Sequence, residues 1–79
     1  MVIERFKDLD AVKVRFAEQG RMLPAGVSYV NSWIETSGNI CYQVMDAPDL
    51  EALREWTAHW EDLVEFELIP VVTSAEFNS

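Results

Sequence analysis

The chain is short of sulfur and imidazole. Among its 79 residues it has one cysteine, Cys41, so no disulfide can form within it. His59 is the lone histidine. The familiar zinc spacings need a second His or Cys nearby, so no metal is expected and no metal staple supports the fold. Positive charge is scarce as well, with 6 Lys and Arg against 14 Asp and Glu and a net charge of −8. The few basic residues are scattered, which argues against a nucleic-acid partner and against anionic membrane surfaces, since both are recognised through clustered Lys and Arg. No apolar run approaches the roughly 20 residues that span a bilayer. The first six residues read as a strand, with no basic n-region and no long apolar h-region, and with a single thiol this makes a cytoplasmic location the expectation. Glycine-rich phosphate loops, paired-carboxylate motifs, Ser-His-Asp signals and internal repeats are all missing, so no cofactor and no assigned catalytic residue are expected.

What remains is one small domain. A chain of this length buries only about 60% of its unfolded surface, and small domains without staples often gain stability by oligomerising. Residues 1–6 are rich in Val, Ile and Phe, which suits a strand. Asp8 stands at a helix N-cap position, Leu9, Val12 and Phe16 follow at helical spacing, and Gly20 is a natural C-cap, so a helix is predicted from about 9 to 19. Val27 to Glu35 and Ile40 to Met45 flank the turn residues Thr36-Ser37-Gly38-Asn39 and predict a β-hairpin. Pro48, Asp49 and Glu51 suit the start of a second helix, whose apolar stripe is Leu50, Leu53, Thr57 and Trp60, widened by Trp56. Val64, Phe66 and Leu68 alternate with Glu65 and Glu67 as a last strand, weakened at Pro70. The order β-α-β-β-α-β is the ferredoxin-like arrangement, an α+β fold with a four-stranded antiparallel sheet and two helices on one face. A single domain over 1–72 is expected, with 73–79 a polar tail that Phe77 can anchor to a partner.

Two helices cover only one face of such a sheet. A three-residue turn pairing Glu35 with Asn39 places Val30, Ser32, Ile34, Ile40, Tyr42 and Val44 on one face, taken as the helix side. The other face then gathers Glu4, Phe6, Tyr29, Asn31, Trp33, Cys41, Gln43 and Met45. A one-residue change of register inverts a strand's faces. So much exposed aromatic surface marks an interaction site and predicts a homodimer joined sheet to sheet.

The same face supplies the candidate ligand pocket: Glu4, Phe6, Tyr29, Asn31, Trp33 and Gln43, with Arg21 on the loop after the first helix. A partly apolar cavity with a few converging polar groups is how small-molecule sites are built, and Glu4 beside aromatics is expected to have a raised pKa suited to acid–base work. The plainer reading is that these polar groups satisfy one another across a dimer interface. Arg21 can steer an anionic ligand, or pair with Glu18 or with a carboxylate of a second subunit. His59 is read as a favourable charge at the C-terminal end of the second helix, Cys41 as a small buried hydrophobe, and Trp56 and Trp60 as core.

Met1-Val2-Ile3-Glu4-Arg5-Phe6, Gly20-Arg21-Met22-Leu23-Pro24, Tyr29-Val30-Asn31-Ser32-Trp33, Cys41-Tyr42-Gln43-Val44-Met45 and the stretch from Trp56 to Asp62 resemble a family of short uncharacterised bacterial proteins, a domain of unknown function. The resemblance covers nearly the whole chain to about Val72. It implies membership of the dimeric α+β barrels of ferredoxin-like topology, a dimer, and a pocket between sheet and helices. That superfamily includes cofactor-independent monooxygenases, muconolactone-type isomerases and haem-degrading enzymes, so fold alone selects no reaction. Three functions follow as expectations. The first is a homodimer binding a small apolar or aromatic molecule, the second a monooxygenase- or isomerase-like enzyme using Glu4 with Tyr29 or Asn31, and the third a non-catalytic interaction subunit.

Overall fold

A computed structural model describes residues 1–78. The elements in chain order are β1 (Val2–Phe6), α1 (Leu9–Gln19), β2 (Ser28–Ile34), β3 (Ile40–Asp46), α2 (Leu50–Thr57), β4 (Val64–Leu68) and a short α3 (Ser74–Phe77). Local chemistry sets most boundaries. The Asp8 carboxylate accepts from the Ala11 N–H at 3.1 Å and opens α1, and Gly20, at φ +64°, ends it by donating to the Phe16 carbonyl at 2.8 Å. Asp49 caps α2 through the Ala52 N–H at 2.8 Å, so Pro48 lies just outside the helix rather than in its first turn. α2 then stops at Thr57, and residues 58–63 continue as tight turns that carry His59 and Trp60. In the C-terminal segment Thr73 caps α3, and Phe77 is 81% exposed.

The four strands are all antiparallel in the order β2-β3-β1-β4, which is the ferredoxin-like α+β fold. Along β1, Val2, Glu4 and Phe6 face the same side as their partners Leu68, Phe66 and Val64 on β4 and Gln43 and Cys41 on β3. The helices lie on this side, where Val2, Trp56, Trp60 and Val64 form the buried core and Val12, Met22, Met45, Leu53, Phe66 and Leu68 pack around it.

Two expectations about faces are corrected. The hairpin loop has four residues, not three: the Glu35 N–H donates to the Ile40 carbonyl at 2.8 Å, and β2 pairs with β3 as Ile34↔Cys41, Trp33↔Tyr42, Ser32↔Gln43 and Asn31↔Val44. Asn39 is not free to pair with Glu35, because its carbonyl accepts from the Phe6 N–H on β1 at 3.1 Å. The Glu35 carboxylate also accepts from the Ser37 N–H and hydroxyl, closing the tighter turn within the loop. This shift exchanges the faces of β2, and a bulge between Tyr29 and Asn31 restores Tyr29 to the side of its partner Met45.

The second correction is that the helices cover the Glu4, Cys41 and Gln43 face, not the face of Tyr42 and Val44. The reason lies in β4, whose Glu65 and Glu67 pair with Arg5 and Ile3. Burying two carboxylates under helices would cost far more than burying Val64, Phe66 and Leu68 gains. The open face therefore carries Ile3, Arg5, Ile40, Tyr42, Val44, Glu65 and Glu67 together with Asn31 and Trp33 from β2.

Candidate functional site

Between the covered sheet face and the two helices lies a partly open cavity of about 270 Å³. Strand β1 contributes Glu4 and Phe6, β3 contributes Cys41 and Gln43, and β2, paired as Ser32↔Gln43 and Ile34↔Cys41, adds Ser32 and Ile34. Helix α1 covers it with Val12, Lys13 and Phe16, while Trp56, Trp60 and Phe66 form the far wall. The walls are mainly aromatic and aliphatic, and the polar groups are few.

Arg21 is built into this site with unusual care. Its carbonyl accepts from two indoles, Trp56 Nε1 at 2.9 Å and Trp60 Nε1 at 3.1 Å. The next residue, Met22, is held at φ +57°, a left-handed conformation that costs a non-glycine residue of order 1–2 kcal/mol and persists only where its surroundings over-determine it. The two indole hydrogen bonds and the packing of Met22 against the core supply that constraint. The Arg21 guanidinium carbon lies 3.8 Å from the centroid of the Tyr29 ring and 5.2 Å from that of Phe16, within reach of cation–π attraction to both. Tyr29 is steadied in turn by a hydrogen bond of 2.7 Å between its hydroxyl and that of Ser32.

Glu4 lies on β1, an inner strand, and lines the cavity together with Val12, Lys13 and Phe16 of α1. Burial pushes its carboxyl group up from its ordinary 4.5 to about 7, against a smaller opposing pull from the Arg21 charge. Among the described residues no ion pair joins Arg21 and Glu4, although both line the cavity. Cys41, opposite Glu4, is 4% exposed, and its thiol is pushed up to about 11 by burial and, secondarily, by the neighbouring carboxylate. Gln43 is also buried, and its Nε2 donates to the Met45 sulfur at 3.0 Å.

A family model, Domain of unknown function (DUF3303), matches residues 1–79. The chain belongs to this family. No curated protein and no solved structure matches it. The DUF3303 assignment brings no catalytic residue, and the site rests on its own geometry.

Of the residues singled out from sequence, this DUF3303 chain gathers Glu4, Phe6, Gln43 and Arg21 at the cavity, with Tyr29 in contact through Arg21 and Ser32. Asn31 and Trp33 lie on the opposite, open face. Arg21 stacks on rings and makes no ion pair with Glu18 among the described residues. Sequence reasoning missed Ser32, Ile34, Val12, Lys13 and Phe16, and treated Trp56 and Trp60 as core alone. The signal that finds them is the alternation in β4: with Glu65 and Glu67 assigned to solvent, pairing carries Glu4 and Cys41 under the helices, and the helix faces follow.

No helix among the described residues is long and apolar enough to cross a membrane.

Proposed function

We propose that this protein binds a small, largely apolar molecule in the cavity between sheet and helices, and that it does so as a homodimer joined through the open sheet face. The observation that carries the binding reading is the cavity itself, apolar in its walls and holding a carboxyl group near neutrality beside a rigidly positioned arginine. An engineered apolar cavity of about 150 Å³ holds benzene. A volume of about 270 Å³ therefore leaves room for a single ring with substituents. A lone buried thiol fits a cytoplasmic setting.

The dimer reading rests on the open face. Trp33 and its cross-strand neighbour Tyr42 are 54% and 37% exposed, and Ile3, Val44 and Asn31 continue the patch beside a charged border of Arg5, Glu65 and Glu67. Light scattering on the purified chain tests it: a dimer is expected at micromolar concentration, and Trp33→Asp is expected to shift it to monomer. A wild-type monomer under those conditions removes the dimer and leaves the cavity untouched.

Titration of the labelled protein with a panel of single-ring compounds tests the site, read from the indole N–H resonances of Trp56 and Trp60. Shifts at both are expected for the compounds that bind, and a panel that moves neither sinks the proposal. A second reading is an enzyme of the cofactor-independent monooxygenase or isomerase kind, favoured by one observation: a carboxyl group at about 7 is matched to proton transfer at neutral pH.

A further inference from the structure

The charges around the cavity say more about its ligand than the volume does. The chain has 6 basic residues in a protein of net charge −8. Arg5 and Arg15 are engaged by Glu67 and Asp62, and Lys7 donates to the Glu61 carbonyl. Two of the remaining three, Lys13 and Arg21, line the cavity. Among the described residues nothing accepts a hydrogen bond from the Arg21 guanidinium. The guanidinium carbon sits over the Tyr29 and Phe16 rings, and its N–H groups form a two-pronged donor matched to the two oxygens of a carboxylate.

Building on the pocket reading above, we propose that the cavity is a site for small aromatic monocarboxylates, with the carboxylate on the edge of Arg21, the Glu4 carboxyl group donating a hydrogen bond to the same oxygens, and the ring against Phe6, Trp56 and Phe66. The aromatic wall suits a planar body. A monoanion fits better than a phosphate dianion, because one guanidinium and one carboxyl donor satisfy two oxygens and leave a second charge unmet. Cationic ligands are disfavoured by Lys13 and Arg21 together.

Glu4 donates only while protonated, so the bound anion and the Glu4 proton are taken up together. The ionisable groups facing Glu4 are Arg21 from the α1–β2 loop, Lys13 from α1 and Cys41 from β3. Strand β4 presents Phe66 there, and α2 with its following turn presents Trp56 and Trp60. Cys41, pushed up to about 11, stays neutral across the range that matters.

Benzoate and its neutral isostere benzamide are the probes, titrated calorimetrically into the full chain from pH 6 to pH 8.5. Benzoate is expected to bind at least about 10-fold more tightly than benzamide at pH 6, since a charge-assisted pair replaces a neutral one. Its affinity is expected to fall about 10-fold between pH 7.5 and pH 8.5, and this slope is expected to vanish in Glu4→Gln. Arg21→Lys keeps the charge but loses the fork, and is expected to lose most of the preference for benzoate. If benzamide or indole binds as well as benzoate, the carboxylate assignment is overturned and the pocket stands. If none of the three binds, both fall. Equal pH slopes in wild type and Glu4→Gln overturn the role given to Glu4, a result that does not depend on the Arg21 variant folding.

Discussion

Replacing Glu4 with Gln changes the pH dependence of stability in a way that can be worked out beforehand. In the folded chain the Glu4 carboxyl group holds its proton up to about 7, against an ordinary 4.5 once the chain unfolds. A group whose pKa rises on folding favours the folded state at low pH. Its contribution is complete below the unfolded value and lost as the pH climbs through the folded one. At about 1.36 kcal/mol per pH unit, the interval from 4.5 to about 7 sets a ceiling of about 3 kcal/mol. Between pH 5 and pH 8 the wild type is thus expected to lose about 2.5 kcal/mol relative to Glu4→Gln, whose amide does not titrate. Urea unfolding followed by tryptophan fluorescence measures this, because Trp56 and Trp60 are buried and report the loss of the core directly. Protein concentration must be fixed, since a dimer's apparent stability depends on it. Other carboxylates titrate alike in both proteins and cancel in the difference. A difference that stays flat from pH 5 to pH 8 refutes the burial of Glu4 against the cavity, whatever the absolute stability of the variant.

Three further outcomes are expected. Cys41, buried and with its thiol pushed up to about 11, is expected to resist iodoacetamide at pH 8 in the native protein, where roughly one thiol in a thousand is ionised, and to react promptly in urea; fast native alkylation contradicts that environment. Trp60→Phe removes one of the two indole donors to the Arg21 carbonyl and leaves a small void, and is expected to cost about 2 kcal/mol in urea unfolding, with weaker ligand binding although Arg21 itself is unchanged. Asp62→Asn breaks the paired 2.8 Å hydrogen bonds from Arg15 that tie α1 to the turn before β4, and is expected to raise amide exchange in α1 more than in β1 or β3.

Element order from β1 to β4 and the start of α1 were readable because their signals are local, while α2 opens two residues later than Pro48 suggested, at the Asp49 cap. Asp8, Gly20 and Asp49 act on backbone groups within four residues of themselves, and no distant contact overrides them. The hairpin register was not readable in that way. Gly38 takes φ +83° and suits either a three- or a four-residue loop, and the choice is made by the Phe6 N–H, which claims the Asn39 carbonyl from another strand. That bond joins residues 33 positions apart, and nothing near the turn announces it. The wrong register moved Asn31 and Trp33 into the site and left Ser32 and Ile34 out. Glu4, Phe6 and Gln43 survived because β1 and β3 keep the same mutual facing in either register. The helix-covered face, by contrast, was legible from Glu65 and Glu67. The apolar residues of the hairpin, Val30, Ile34, Ile40 and Val44, point to the other face when taken without β4.

The double anchoring of the Arg21 carbonyl by Trp56 and Trp60 ties two properties that many proteins keep apart. The indoles that fill the centre of the core are also the brackets on which the cation of the site is mounted. If the cavity binds a ligand as proposed, substitutions that loosen the interior are expected to register as lost affinity, and a ligand seated on Arg21 to brace the interior in return. On that reading, recognition could not be tuned through those positions without also altering how firmly the molecule holds together. Any change of ligand preference would have a freer path through Lys13 and Ile34, which line the same space outside the core cluster.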